Sequence, residues 1–246
     1  MKGLIFAAGL GTRLYPLTAD SPKALVKLAG KPMLQHVIEK LGSAGITDIV
    51  INIHHYAGKI IEFLERNDNF GLNIQLSVEK EYPLETGGGL LKAAEWLDGD
   101  EPVLLHNADI YTDFPIGEMA SAHMKSGADI TLLADNRKSS RQLLFDRDKR
   151  MRGWTNLATG EVKPALVNLA GLEPKAFGGV HIINPSVVFP LLKAGAIEEV
   201  FSITQFYISV CNDVLIKGFT PSQPYGWHDI GTVEKLAAAE SYLLSK

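Results

Sequence analysis

Leu4-Ile5-Phe6-Ala7-Ala8-Gly9-Leu10-Gly11-Thr12-Arg13-Leu14, followed by Ser21-Pro22-Lys23, reads as a buried strand emptying into a glycine-rich turn that carries one Arg and, a little later, one Lys. A Cβ at either glycine would hinder positive φ or close approach, so bare amides there can reach an anion. Arg13 adds a forked pair of donors. Lys23, fixed just after Pro22, adds a compact point charge. Together these groups suit a polyphosphate better than a single carboxylate.

Three competing readings of this stretch can be weighed on the letters. A dinucleotide fingerprint wants a third glycine where Leu14 stands and an acidic residue after Ile49-Val50-Ile51, where the chain has Asn52. A Walker loop wants Gly-Lys-Ser/Thr at the helix start, but Lys23 lies beyond a proline, well past the glycines. An ordinary strand-to-helix turn is the third alternative.

Outward from the loop, apolar runs alternate with segments of helical period. Leu4 to Ala7 is followed by Leu34, Val37, Ile38 and Leu41 at helix spacing, then Ile49 to Ile53, then Ile60, Ile61 and Leu64. That pattern is βαβα. Leu72 to Val78 reads as a strand, Leu90 to Leu97 as a helix opened by the glycines before it, and Pro102 to Leu105 as a short buried strand. The first half is therefore expected to be a doubly wound sheet. Ile130 to Ala134 reads as a further strand, after which the charged, turn-rich residues 135–165 read as a β-ribbon excursion over the sheet. Strands return at Phe177 to Ile183 and Val214 to Phe219. Helices are expected near Pro185 to Leu192 and Thr204 to Val210, and a last one opens at Thr232.

Two aspartates stand where a metal would be useful. Asp109 follows Asn107-Ala108 at the end of a predicted buried strand, and Asp229 lies in Trp227-His228-Asp229-Ile230-Gly231-Thr232 just before a helix. Two hard carboxylates suit Mg²⁺ shared with phosphates and water, while a helix cap or turn residue is the alternative use of each. In Leu84-Glu85-Thr86-Gly87-Gly88-Gly89, successive glycines allow close backbone approach, so a planar base could rest there. Adjacent His54 and His55 would point in opposite directions in extended chain and are read as loop or core residues. Phe177-Gly178-Gly179 places a double glycine in a strand, a usual mark of a bulge.

The ordered set Phe6 to Leu14, Pro16-Leu17-Thr18, Ser21 to Leu25 and Gly30-Lys31-Pro32-Met33-Leu34 resembles the signature of the sugar-1-phosphate nucleotidyltransferases. The resemblance implies their Rossmann-like α/β fold: a doubly wound, mostly parallel mixed sheet with a small β-ribbon and helical appendage over the site. It implies an NTP held by Ala8, Gly9, Gly11, Thr12, Arg13 and Lys23, with Glu85, Gly88 and Asn107 beside them. Arg13, Lys23 and Asp109 would be catalytic, Gly178 and Gly179 would lie under the sugar, and Asp109 and Asp229 would hold Mg²⁺. Ala108 departs from the family's usual Gly and is expected to pack more tightly against the nucleotide.

The expected reaction joins an NTP to a sugar 1-phosphate and releases pyrophosphate. The Glu-Thr-Gly-Gly-Gly and Trp-His-Asp-Ile-Gly-Thr segments resemble the small uridylyltransferases of cell-wall recycling, so UTP with N-acetylmuramate 1-phosphate is the expected pair. Mannose-1-phosphate guanylyltransferases, or another hexose-1-phosphate enzyme, are the nearest alternative. A nucleotide-binding regulatory subunit is the non-enzyme reading, disfavoured because Arg13, Lys23, Asp109 and Asp229 are all present.

Composition bounds the rest. With 246 residues, 46% hydrophobic, the chain can bury an ordinary core as one domain spanning 1–246. A net charge of −4 without a basic run argues against nucleic acid as a partner. The single Cys211 leaves no internal disulfide, and no stretch approaches a membrane span, so a cytoplasmic location is expected.

Overall fold

The computed structural model describes residues 1–165, 167–195 and 198–246. The chain opens with β1 (Lys2–Phe6), the glycine turn and a short ladder of β2 (Lys27–Leu28) with β3 (Lys31–Pro32). There follow α1 (Met33–Ser43), β4 (Asp48–Ile53), α2 (Ala57–Arg66), β5 (Asn73–Val78), α3 (Glu85–Leu97) and β6 (Val103–Asn107). Strands β6, β1, β4 and β5 lie side by side, all parallel, with Phe6 level with both Asn52 and Asn107. Leu4-Ile5 and Val103-Leu104-Leu105 are buried on both faces, hence their unbroken apolar runs; edge strand β5 alternates instead.

Leu34, Val37, Ile38 and Leu41 of α1, with Ile60 and Leu64 of α2, cover one face of the sheet. Leu90, Ala93 and Leu97 of α3 cover the other. Each such Leu or Ile contributes about 1.5–3 kcal/mol on burial. Because the chain leaves β1 for β4 on one side and returns to β6 on the other, the C-terminal ends of β1 and β6 form the point where winding reverses. Open α/β sheets bind ligands at such a point.

The second half comprises β7 (Ile110–Thr112), α4 (Ile116–Ser126), β8 (Ile130–Asp135), β9 (Arg141–Phe145), β10 (Met151–Asn156), β11 (Glu161–Lys163) and β12 (Glu173–Ile183). It closes with α5 (Pro185–Gly195), α6 (Ile203–Val210), β13 (Ile216–Phe219), β14 (Trp227–Asp229) and α7 (Val233–Leu244). The long β12 joins the halves: Val180–Ile183 pair antiparallel with β6, Glu173–Lys175 with β9, and β8 runs along its other side. The expected doubly wound mixed sheet is thus present, its parallel half extended by antiparallel strands.

Two expectations need correction, and one helix was not expected. The ribbon within residues 135–165 does not form a layer over the sheet; β9, β10 and β11 extend the main sheet through β12. The β9 edge of the ribbon is satisfied by pairing in plane with β12, which places β10 and β11 outward in the same sheet. The triple glycine does not precede α3 but lies inside it, since the helix begins at Glu85. Helix α4 went unread, although buried Ile116, Met119 and His123 repeat at helical spacing.

Candidate active site

The cleft, of about 390 Å³, opens where β1 and β6 end, and its walls include Ala8, Gly9, Gly11, Thr12, Arg13, Lys23, Asn107 and Asp109. Gly11 adopts φ +67°, and a Cβ there would meet Lys23 Cβ at 2.9 Å and Thr18 Cγ2 at 3.0 Å. The turn can therefore close on Lys23 only with glycine at 11. Thr18 Oγ1 donates to the Gly11 carbonyl at 2.9 Å and holds that bend. Gly9, by contrast, has nothing within 4 Å of its Cβ direction and leaves the backbone open to the cleft.

Leu14, wholly buried, plugs the short 3-10 turn Thr12–Leu14 into a small cluster with Val26, Leu28, Met33, Ile230 and Leu236. This cluster ties the glycine turn to the far end of the chain. Ile230 N donates to the Asp109 carbonyl at 2.8 Å, and Asp229 faces Ile110 across the β7–β14 pair. Asp109 and Asp229 are thereby brought together, 120 positions apart in sequence. A Cβ on Gly231 would stand 2.7 Å from Asp229 Oδ1 and 3.2 Å from Arg13 Nη2, so glycine leaves room for both side chains.

Each carboxylate holds a lysine. Lys23 Nζ donates to Asp109 Oδ2, both largely shielded from solvent, and Lys235 Nζ donates to Asp229 Oδ2 at 2.5 Å. Lys235 opens α7, in a charged surface turn that gave no signal of its own. The donor set, two carboxylates on adjoining backbone of which Asp109 lines the cleft and Asp229 stands behind Gly231 of its wall, fits Mg²⁺, which keeps several waters and uses one or two carboxylates. Among the described residues no group of three or more His, Cys, Asp or Glu is gathered for a metal.

Glu85 and Thr86 line the cleft, as do Asn52 and Pro83, which the sequence reading had not assigned to it. Glu85 takes φ +58°, a left-handed conformation uncommon for a non-glycine residue, right at the wall of the cleft. Asn52, buried, donates to Glu79 Oε1 at 2.8 Å, and Glu79 Oε2 accepts from Leu84 N at 2.9 Å, fixing the entry to α3. Ala108 is buried and lines the cleft as well.

Gly88 must be withdrawn from the base site. Its Cβ direction meets the Glu199 carbonyl at 2.3 Å, and its N–H points to the Phe201 carbonyl at 3.4 Å. Gly87 is likewise packed on the Phe201 ring and donates to Phe201 O at 2.8 Å. Gly87 and Gly88 let residues 199–201 dock on the start of α3, while the Cβ direction of Gly89 meets Asn52 and Glu79. Gly178 is similarly occupied: Leu133 fills its Cβ direction at 2.6 Å and its carbonyl accepts from Trp227 Nε1 at 2.8 Å. Gly179, at φ +70°, lies against Asn107 Nδ2 within a β12 register shift, so the pair makes the bulge and only borders the cleft.

The histidines stand apart from the chemistry. His54 Nδ1 bonds the Glu79 carbonyl at 2.8 Å, and His55 packs on Tyr56. His106 is fully buried, and desolvation holds it neutral with a pKa lowered to about 4. His228 packs on Tyr242, and burial lowers its pKa too. Cys211 is buried, and its thiol pKa is raised by desolvation. No helix is long and apolar enough to cross a membrane among the described residues.

Residues 2–145 match the nucleotidyl transferase family. The mannose-1-phosphate guanyltransferase of Yarrowia lipolytica is 38% identical over 76% of this chain and 50% of its own length. The chain thus spans about half the length of the curated relatives it matches. A Bacillus anthracis crystal structure with sucrose bound superposes with TM-score 0.81 at 19% identity, covering 98% of this chain and 94% of that one. HddC from Yersinia pseudotuberculosis, complexed with GMP-PN, gives 0.74 at 20% identity over 98% of this chain and 99% of that one. These two share the fold. The expected nearness to N-acetylmuramate-1-phosphate uridylyltransferases is corrected by the curated relatives, which are mannose-1-phosphate guanyltransferases, the reading held as alternative. Matched over more than half of its length, the chain belongs to the nucleotidyl transferase family.

Proposed function

We propose that this chain transfers a nucleotidyl group from an NTP to a sugar 1-phosphate, releasing pyrophosphate, with GTP and mannose 1-phosphate as the leading pair. The observation that carries the reading is the convergence of the Gly9–Gly11 turn, Arg13, Lys23 and Asp109 on one cleft at the reversal of the sheet. The kinship with mannose-1-phosphate guanyltransferases supports the choice of base and sugar.

An oxygen of the sugar 1-phosphate attacks the α-phosphorus in line and pyrophosphate departs. The nucleophile is already anionic, so no Ser, Cys or strong base is required; positioning and charge neutralisation supply the acceleration. Backbone N–H groups of the glycine turn hold phosphate oxygens, while Arg13 and Lys23 balance the triphosphate and its leaving group. Asp109 and Asp229 would hold Mg²⁺, which when bound neutralises phosphate charge as a Lewis acid. On arrival of the nucleotide, Lys23 exchanges its Asp109 partner for phosphate oxygen.

Pyrophosphate release with Mg²⁺, four NTPs and a panel of sugar 1-phosphates tests the reading. Turnover with GTP and mannose 1-phosphate above all other pairs is expected. Preference for UTP with N-acetylmuramate 1-phosphate would reverse the assignment of substrates, and NTP binding without turnover would make the chain a regulatory subunit.

A further inference from the structure

Just past the end of β8 stands Arg137, a half-buried cation that neither the glycine turn nor the paired carboxylates use. Its guanidinium carbon lies 3.4 Å from the centroid of the Trp227 ring. Nη2 donates to the Phe177 carbonyl at 2.8 Å and to the Ala176 carbonyl at 3.3 Å. Trp227 is itself fixed by its Nε1–H bond to Gly178 O. The guanidinium is thus held flat on an indole and steered by two carbonyls, so its plane is set before any ligand arrives.

Two features of this group are unsatisfied. Nε is buried without a hydrogen-bond partner, and Arg137 makes no ion pair among the described residues. A buried donor left unmade is costly, and a half-buried charge without a counter-ion adds to that cost. Burial also works against its charged form, and Asp135, Tyr225 and Asp229 are the acidic groups whose fields oppose that effect. An anion arriving at the accessible part of the half-buried side chain would supply the ion pair that Arg137 lacks.

Location identifies which anion. Trp227 and Asp229 are two residues apart on β14, so their side chains leave the same face of the strand. Arg137 therefore lies on the Asp229 side, bordered by Gly178 and, through Gly179, by Asn107 of the cleft. Lys23 and Arg13 sit on the glycine-turn side. The reaction brings two anions together, and the triphosphate already has its cations.

We propose that Arg137 binds an anionic group of the sugar-bearing substrate, either its anomeric phosphate or a carboxylate carried by the sugar. This inference rests on the nucleotidyl-transfer reading above. Arg137 is a substrate-binding residue for the acceptor, with Trp227 as its platform, and no part of the nucleotide site.

Steady-state pyrophosphate release is compared for wild type, Arg137→Gln and Arg137→Lys, alongside direct titration of GTP·Mg²⁺ and thermal melting. Arg137→Gln is expected to raise KM for the sugar 1-phosphate at least about tenfold, the scale of one charge-assisted hydrogen bond, with GTP affinity within about twofold. Arg137→Lys, which keeps the charge but not the planar fork, should recover part of the loss. Equal losses with mannose, glucose and N-acetylmuramate 1-phosphates assign the contact to the phosphate; a loss confined to N-acetylmuramate 1-phosphate assigns it to the carboxylate.

Unchanged KM for every sugar, or loss of GTP affinity in step with sugar affinity, would overturn the proposal and leave Arg137 a brace for Trp227. Should Arg137→Gln fail to fold, the same two measurements on Arg137→Lys decide, raised sugar KM with intact GTP binding supporting the role. Should wild type release no pyrophosphate with any pair, the functional reading fails separately. Calorimetric titration of mannose 1-phosphate into wild type and variants then decides: weaker binding in the variants supports the Arg137 site, and equal or absent binding overturns it.

Discussion

The Gly9–Gly11 turn and the Gly87–Gly89 run look alike in the sequence, each a cluster of glycines beside a strand or helix end. In the fold they do opposite work. At Gly9 a Cβ would meet nothing within 4 Å, whereas at Gly87 and Gly88 it would meet Phe201 or the Glu199 carbonyl at 2.3 Å. The first run leaves space for a ligand; the second lets two parts of the protein touch. A glycine required for close approach does not say what approaches.

The contrast can be tested from both sides. On the ligand side, Asp109→Asn should keep the fold and lower turnover on the order of 10²-fold or more, since it removes the charge of a carboxylate proposed to hold Mg²⁺. Wild-type rates of pyrophosphate release in that variant would return Asp109 to a turn residue and deprive the first run of its chemistry.

On the packing side, Tyr207 shares a buried cluster with α3 and hydrogen-bonds His181, itself wholly buried, with its pKa lowered to about 3 by desolvation. The unfolded chain takes up this proton near pH 6.5 and the folded one only near 3, so stability is full above 6.5 and falls as pH drops toward 3. The loss should be on the order of a few kcal/mol, read by denaturant titration across that range. His181→Gln should reduce the slope, leaving the part contributed by His106, whose pKa is lowered to about 4; an unchanged slope would show that His181 is not a group responsible.

Substitution within the two runs gives the closest comparison. Gly88→Ala forces a methyl against the Glu199 carbonyl and should destabilise by roughly 1–3 kcal/mol, seen as a lower Tm. Gly9→Ala should leave Tm almost unaltered and weaken NTP binding by about tenfold, because a methyl intrudes on the open backbone. A stable Gly88→Ala with poor nucleotide affinity would restore the base-binding role withdrawn from Gly88.

Much of the architecture was legible from local pattern. Continuous apolar runs marked β1, β4 and β6, and helical spacing marked α1 and α2, because strands buried on both faces and helices with one apolar stripe write those periods into the chain. Helix α4 was missed although Ile116, Met119 and His123 carry the same spacing. At the site, the residues of the first turn reached the cleft wall together, since they are neighbours in sequence. Asn52, inside the apolar run of β4, carries no sequence signal for the site, yet it lines the same cleft as Glu85.

What the sequence determined by itself was local: a strand that stops at a flexible, cation-bearing turn, and the periods of the elements around it. Only the tertiary structure decided that Asp229 lies beside Asp109, that Lys235 holds Asp229, that Glu199 and Phe201 fill the space at Gly88 and Gly87 of α3, and that Arg137 lies on Trp227. The Thr86 hydroxyl and Ile203 N–H, for instance, bond across 117 positions. Periodicity reports which face of an element is buried but not what buries it, and that choice belongs to packing between segments distant in the chain.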